Sequence, residues 1–245
     1  MQELVRQEAR RQGVSVSEEE AFAEEARALK RIFGERTSPD QRQRMLDELL
    51  RRRGLTRELW RATMRQNALL RKMALPKLSV TDSMLKVEFA RRYGEKVEIS
   101  HIALPSLSEA EKIIRRLKAG EDFAELARKY STNSATAAKG GHLPPFSRED
   151  GAVPQAIRDA AFALRPGQVS GIVQAGTNFH VLKLHRRYPS SKVKFEAVKD
   201  SLRKEVMARL VERMKVEIIA QLSRSARIEY VNPVLRRAAG GGTAP

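Results

Sequence analysis

Four histidines and no cysteine in 245 residues set the limits of the chemistry open to this chain. Without a thiol there is no cysteine nucleophile, no disulfide and no thiolate metal site. Two of the histidines, His101 and His180, sit in short apolar runs, SHIAL over 100–104 and FHVLKL over 179–184. A histidine on a strand has two readings, a hydrogen-bonded core residue or a polar group presented to a ligand on one face of a sheet. Between the two runs lie a loop of small residues, STNSATAAKGG, and the double glycine of GGHL over 140–143.

The elements that must position these residues change character along the chain. The first 94 residues predict four helices joined by short loops. Ser17 with Glu20 makes a capping box ahead of Phe22, Leu29 and Phe33, and Gly34 closes that helix. Ser38, Pro39 and Gln41 open a second that carries Met45, Leu46, Leu49 and Leu50 as far as Gly54. Thr56 caps a third running to about Pro76, and a fourth runs from near Thr81 to Gly94. At Val97 the pattern becomes β-branched, and VEISHIAL reads as a strand. Ser108 with Glu111 predicts the next helix, closed by Gly120, and Asp122 begins another, FAELARKY. A strand near LPPF, a helix around IRDAAFAL and two β-like runs, VSGIV and FHVLKLH, complete a compact α+β unit. From Phe195 to about Ser225 the stripe Val198, Leu202, Val206, Leu210, Met214 and Ile218 predicts one long amphipathic helix. RIEYV after it reads as a short strand, and GGGTAP as a flexible tail.

The net charge of +17 raises the question of a nucleic-acid partner, which distribution answers better than size. The excess is +6 over residues 1–95, +5 over 96–188 and +6 over 189–245, so no basic face stands out. Nucleic acid is therefore not expected as a partner. No window approaches the uninterrupted apolar length of a membrane span, and MQELVRQEARRQG lacks the apolar stretch of a signal peptide.

The middle unit resembles the parvulins, a family of peptidyl-prolyl isomerases, on motifs spread in order over about ninety residues: SHIAL, LKAGEDFAELARKYS over 117–131, GGHL, AAFALRPGQVS over 160–170 and FHVLKL. LVRQEARRQGVSVSEEE before it and KFEAVKDSLRKE after it resemble the flanks of the exported SurA- and PrsA-like foldases. The resemblance implies an α+β fold in which a parvulin domain, a four-stranded antiparallel sheet with surrounding helices, is inserted in an all-α chaperone-like domain. The implied boundaries are 1–94 helical, 95–188 parvulin, 189–235 a long helix and short strand completing the helical domain, and 236–245 a tail. Such relatives carry an export signal, a strand and a helix ahead of the point where this sequence begins. The resemblance accordingly implies a fragment, a trimmed form or a misplaced start, and the periplasm or cell envelope as the compartment, with the cytoplasm as the alternative.

The resemblance also implies the chemistry. Rotation about a peptide bond faces a barrier of about 18–20 kcal/mol, and at X-Pro bonds the two isomers are nearly equal in energy. Stabilising the twisted amide suffices, so no metal and no cofactor is expected. The family's facing histidines fall on His101 and His180, and its polar loop residue beside the turning carbonyl falls on Asn133. The proline-binding residues fall on Leu143, Phe146, Ile157 and one of Ala152 or Val153, with Val153 preferred and Phe179 beside His180 added. Unfolded, proline-containing polypeptides are the implied partners. Several positions depart from the family pattern. Asn133 cannot ionise, His142 and Pro144 replace an aspartate and a glycine, and Ala175 replaces the threonine partner of the histidines, which leaves Thr177 as the candidate substitute. These departures imply weak isomerase activity or, as the alternative, an inert domain that acts by binding alone. LPSLS carries no basic cluster, so phosphate-directed substrate choice is not expected.

Overall fold

The structure, a computed structural model, describes residues 1–226; the expected strand RIEYV and the tail lie outside the described residues. The residues fall into two units, one formed by 1–79 with those from Met207 on, the other by Val80–Val206.

The helical unit contains α1 (Gln2–Arg11), α2 (Glu18–Phe33), α3 (Pro39–Arg53), α4 (Arg57–Ala74) and the second part of α10 (Phe195–Ser225). Both expected capping boxes form. The Ser17 hydroxyl accepts from the Glu20 amide while the Glu20 carboxylate accepts from the Ser17 amide, and Ser38 with Gln41 repeats the arrangement. Each box occupies backbone donors that the first turn would otherwise leave unpaired. Helix α1 was not expected from the sequence. Its buried residues are only Val5 and Ala9, too few to print a helical period on so charged a segment. Those two pack with Leu70, Met73 and Ala74 of α4 and Ile218 of α10. A second cluster joins Leu29, Leu46 and Leu50, with Trp60 and Phe33 against it. Burying a leucine as completely as Leu46 or Leu70 contributes roughly 1.5–3 kcal/mol. Across α2 and α10, the Lys215 ammonium donates to Glu24 at 2.5 Å, both side chains being 5% exposed.

The second unit holds α5 (Asp82–Tyr93), β1 (Lys96–Leu104), α6 (Leu107–Lys118), α7 (Phe123–Tyr130), α8 (Ser134–Ala137), β2 (His142–Ser147), α9 (Gln155–Ala163), β3 (Val173–Ala175), β4 (Asn178–Tyr188) and the start of α10. Helix α6 starts two residues earlier than expected, because the Ser106 hydroxyl, not that of Ser108, accepts from the Glu109 amide. The strand expected over VSGIV is displaced to Val173–Ala175. The sheet is antiparallel with order β2-β1-β4-β3. Pro144 and Pro145 lie on β2, an edge strand, where a missing amide donor breaks no ladder. Strand alternation sends Val97, Ile99, Leu182 and Leu184 into a core under α9, and Ile102, Leu104 and Val181 into a second core under α6 and α7.

The division between the units falls outside the boundaries read from sequence at 94/95 and 188/189, and contacts among α5 and the first turns of α10 account for it. Phe195 meets Phe89 edge-on at 5.4 Å, Lys199 and Arg203 both reach Asp82, and Arg92 pairs with Glu205. Lys96 pairs with Tyr188 across β1 and β4, so the chain enters and leaves the sheet at neighbouring positions.

Candidate functional site

His101 stands opposite Leu182 in the β1–β4 register and His180 opposite Ala103, which puts the two imidazoles diagonally adjacent on the face that carries the α9 core. They are 4% and 8% exposed. The rings lie nearly parallel, with centroids 5.6 Å apart, and the two Nδ1 atoms approach to 3.4 Å. His101 Nε2 lies 2.9 Å from the Thr136 hydroxyl, and the His180 ring meets the Ala175 backbone.

Electrostatics keep this pair neutral. Burial, then the neighbouring His180, holds the His101 pKa down to about 4, and burial lowers that of His180 against an opposing hydrogen bond to the Ala175 backbone. Two neutral rings meeting at Nδ1 need one donor and one acceptor. The Thr136 hydroxyl also donates to the Asn133 carbonyl at 3.4 Å, so it ties the His101 ring to the loop that carries Asn133.

Thr136 was missed in the sequence. Thr177, the candidate substitute for Ala175, is exposed in the turn after β3. The partner comes instead from α8, whose four residues are too few to show a helical period inside STNSATAAKGG. The only sequence cue was a threonine three residues after Asn133. Asn133 precedes α8, and its carbonyl accepts from the Ala137 amide at 2.9 Å. Its side chain makes no cap bond. Ser131 and Thr132 anchor this loop to Ala103 on β1.

The apolar residues gather on the same face. Phe146 and Ile157 belong to the α9 core, each 3% exposed, and Leu143 and Val153 pack half-buried against it, whereas Ala152 is exposed. Phe179 does not join them, since strand alternation turns it to the opposite face, against the core of Ile102 and Leu104. His142 also lies away from the pair, 3.5 Å from Glu98 and with its ring 6.0 Å from that of His185. Gly141 explains the need for the double glycine. Its φ is +79° and its carbonyl accepts from the His101 amide, and a Cβ there would lie 2.2 Å from the His101 carbonyl oxygen.

Among the described residues no group of three or more His, Cys, Asp or Glu side chains could hold a metal ion, and no helix is long and apolar enough to cross a membrane.

Residues 105–186 match the family model of the rotamase, PPIC-type PPIase domain. With the sheet order and the facing histidines, that match makes the middle of this chain a parvulin-type peptidyl-prolyl isomerase domain. Among whole proteins the chain is similar to the PrsA foldases. It is 33% identical over 162 residues to foldase protein PrsA of a Geobacillus species, covering 66% of this chain and 57% of that protein. To foldase protein PrsA 2 of Listeria innocua it is 29% identical over 161 residues, covering 65% and 54%. A crystal structure of the peptidylprolyl isomerase PrsA from Bacillus anthracis shares the fold with a TM-score of 0.53 at 23% identity, over 94% of this chain and 96% of that one. The chain spans little more than half the length of these curated relatives.

Proposed function

We propose that this chain catalyses cis–trans isomerisation of X-Pro bonds in unfolded polypeptides and that its helical unit holds those polypeptides as a chaperone. The neutral, hydrogen-bonded His101–His180 pair, set beside an apolar cluster on one sheet face, carries the reading. Isomerisation makes and breaks no σ-bond, so the site has only to favour the twisted amide. The proline ring packs on Leu143 and Val153, the half-buried members of the cluster, with Phe146 and Ile157 behind them. The Asn133 side chain faces the turning carbonyl as a neutral hydrogen-bond donor, and the histidine row fixes the floor beneath. His101 and His180 act by shape and hydrogen bonding, since rings this far from protonation at neutral pH supply no charge. The similarity to PrsA foldases supports placing the work in the cell envelope.

Exchange spectroscopy on a series of proline peptides tests the activity, with a broad preference at the residue before proline expected. Absence of any rate enhancement would leave a binding-only domain. Asn133→Asp should keep the fold and change the rate by a factor of up to about ten, equivalent to roughly 1 kcal/mol in the barrier. Thr136→Val leaves His101 Nε2 without its hydroxyl partner, and a stability loss on the order of 1–3 kcal/mol is expected by denaturant titration.

The histidines also set a pH dependence. Because the folded His101 pKa lies below its unfolded value of 6.5, the unfolded chain binds the proton first as pH falls. Stability should therefore be full above pH 6.5 and decline between about 6.5 and 4. A gap of about 2.5 units corresponds to at most about 3 kcal/mol, and His180 acts in the same direction. Thermal melts across this range check it, and His101→Phe should flatten the decline.

A further inference from the structure

A cavity of about 520 Å³ opens on the other face of the sheet unit, between α6 and the end of α7. Ile113 of α6 and Leu104, the last residue of β1, are almost fully buried and form its floor. Glu109, Lys112, Ile113 and Arg116 follow one another at i, i+3, i+4 and i+7, so a single face of α6 makes one wall. Tyr130, at the end of α7, makes the other. The Arg116 guanidinium is held by two hydrogen bonds to Glu121, at 2.6 and 2.5 Å, and its centre lies 4.8 Å from the centroid of the Tyr130 ring. The arginine is thereby held over the ring before any ligand arrives. Lys112 and Arg115 stand exposed at the mouth, and neither has an ion-pair partner among the described residues. A cavity of this size with an apolar floor and a few convergent polar groups has the form of a binding site. None of its residues belongs to the histidine face.

We propose that this cavity binds an acidic peptide segment carrying an aromatic side chain. The carboxylates meet Lys112 and Arg115, while the ring enters over Leu104 and Ile113 against Tyr130 and Arg116. Glu109 on the same wall repels carboxylates, so those of the ligand are confined to the end that carries Lys112 and Arg115. The excess positive charge is spread evenly along the sequence, and the apolar floor between Lys112 and the Tyr130 ring suits a side chain of a peptide. This site is independent of the isomerase reading and stands or falls separately from it.

The test is a titration of the full, isotope-labelled chain with the proline-free peptide acetyl-Glu-Phe-Asp-Glu-amide, followed by amide NMR. Shifts are expected at Leu104, Ile113 and Tyr130, with His101 and His180 unmoved and binding weakened by added salt. Lys112→Glu combined with Arg115→Glu should lower affinity on the order of tenfold or more. Both residues are exposed, and an unchanged circular dichroism spectrum confirms that the variant is folded. Replacing the peptide's phenylalanine by glycine should abolish most of the binding. Equal binding of the glycine peptide would reduce the site to a patch of charge and overturn the proposal. Shifts confined to the histidine face, no shifts at all, or tighter binding of adenosine monophosphate would overturn it as well.

Discussion

Cutting Lys215 back to alanine should destabilise the helical unit by on the order of 3 kcal/mol, an effect large against the stability of an ordinary domain. Its ammonium and the Glu24 carboxylate are both buried, so each depends on the other for the solvation that water no longer gives. Arg27, half in solvent, also reaches Glu24 at 2.8 Å, and Glu212 reaches Lys215 at 3.0 Å, which softens the loss without replacing the buried partner. Replacing the two together by an apolar pair, Glu24→Leu with Lys215→Met, should cost far less than either single truncation, because no orphaned charge remains. Urea titration of the three variants reads this out, and equal losses in the single and double variants would disprove it. Burial, the largest single influence, would raise the Glu24 pKa, but Lys215 and Arg27 together outweigh it and the net shift is downward. The pair's contribution is therefore present above pH 4.5 and is lost as pH falls further, a lower window than that of the histidines.

Gly141→Ala should be the most damaging single methyl in the sheet unit. The new Cβ would stand 2.2 Å from the His101 carbonyl oxygen, a backbone atom that cannot swing aside, at a φ of +79° that side chains with a Cβ rarely adopt. Relief requires β2 to withdraw from β1, which breaks the hydrogen bond from the His101 amide and shifts Leu143, two residues on. A loss of roughly 2–4 kcal/mol is expected, by analogy with overpacked cores together with the backbone cost. Isomerase activity should fall more than stability alone explains, since the displaced residues line the proposed site. Gly171→Ala is the control, because a Cβ there meets nothing within 4 Å and φ is not positive. Its melting temperature and exchange rate should match those of the parent chain.

What could be read in the sequence followed the strength of each local signal. Capping boxes announce helix starts within four residues, and α10 was legible from Phe195 to Ser225 because its apolar stripe repeats from Val198 to Ile218, over about six turns. The histidine pair was legible through family motifs, and the register places His101 and His180 side by side as the resemblance implied. Features assembled from distant residues left no such trace. Thr136 reaches His101 from a four-residue helix with no period of its own, and Glu24 looked like any other acid in the run EEARALK until Lys215 covered it. Phe179 lies on the face opposite His180 for a simpler reason, since neighbours along a strand point to opposite sides of the sheet.

The Glu24–Lys215 contact joins positions 191 residues apart, and the cluster of Val5, Leu70 and Ile218 closes across a similar span. Synthesis delivers those parts at very different times. When the first 79 residues emerge, α1 and α4 lack the helix that completes their core, and they must wait while the whole sheet unit is made. The sheet has no such debt to the future, because its strands and both of its cores lie between Val80 and Val206. The helical unit therefore matures last, although it begins first, and its nascent form exposes Val5, Ala9 and Leu70 to whatever else is unfolded nearby. A nascent chain that has emerged as far as residue 206 would hold a finished sheet and an open helical surface waiting for the rest of α10.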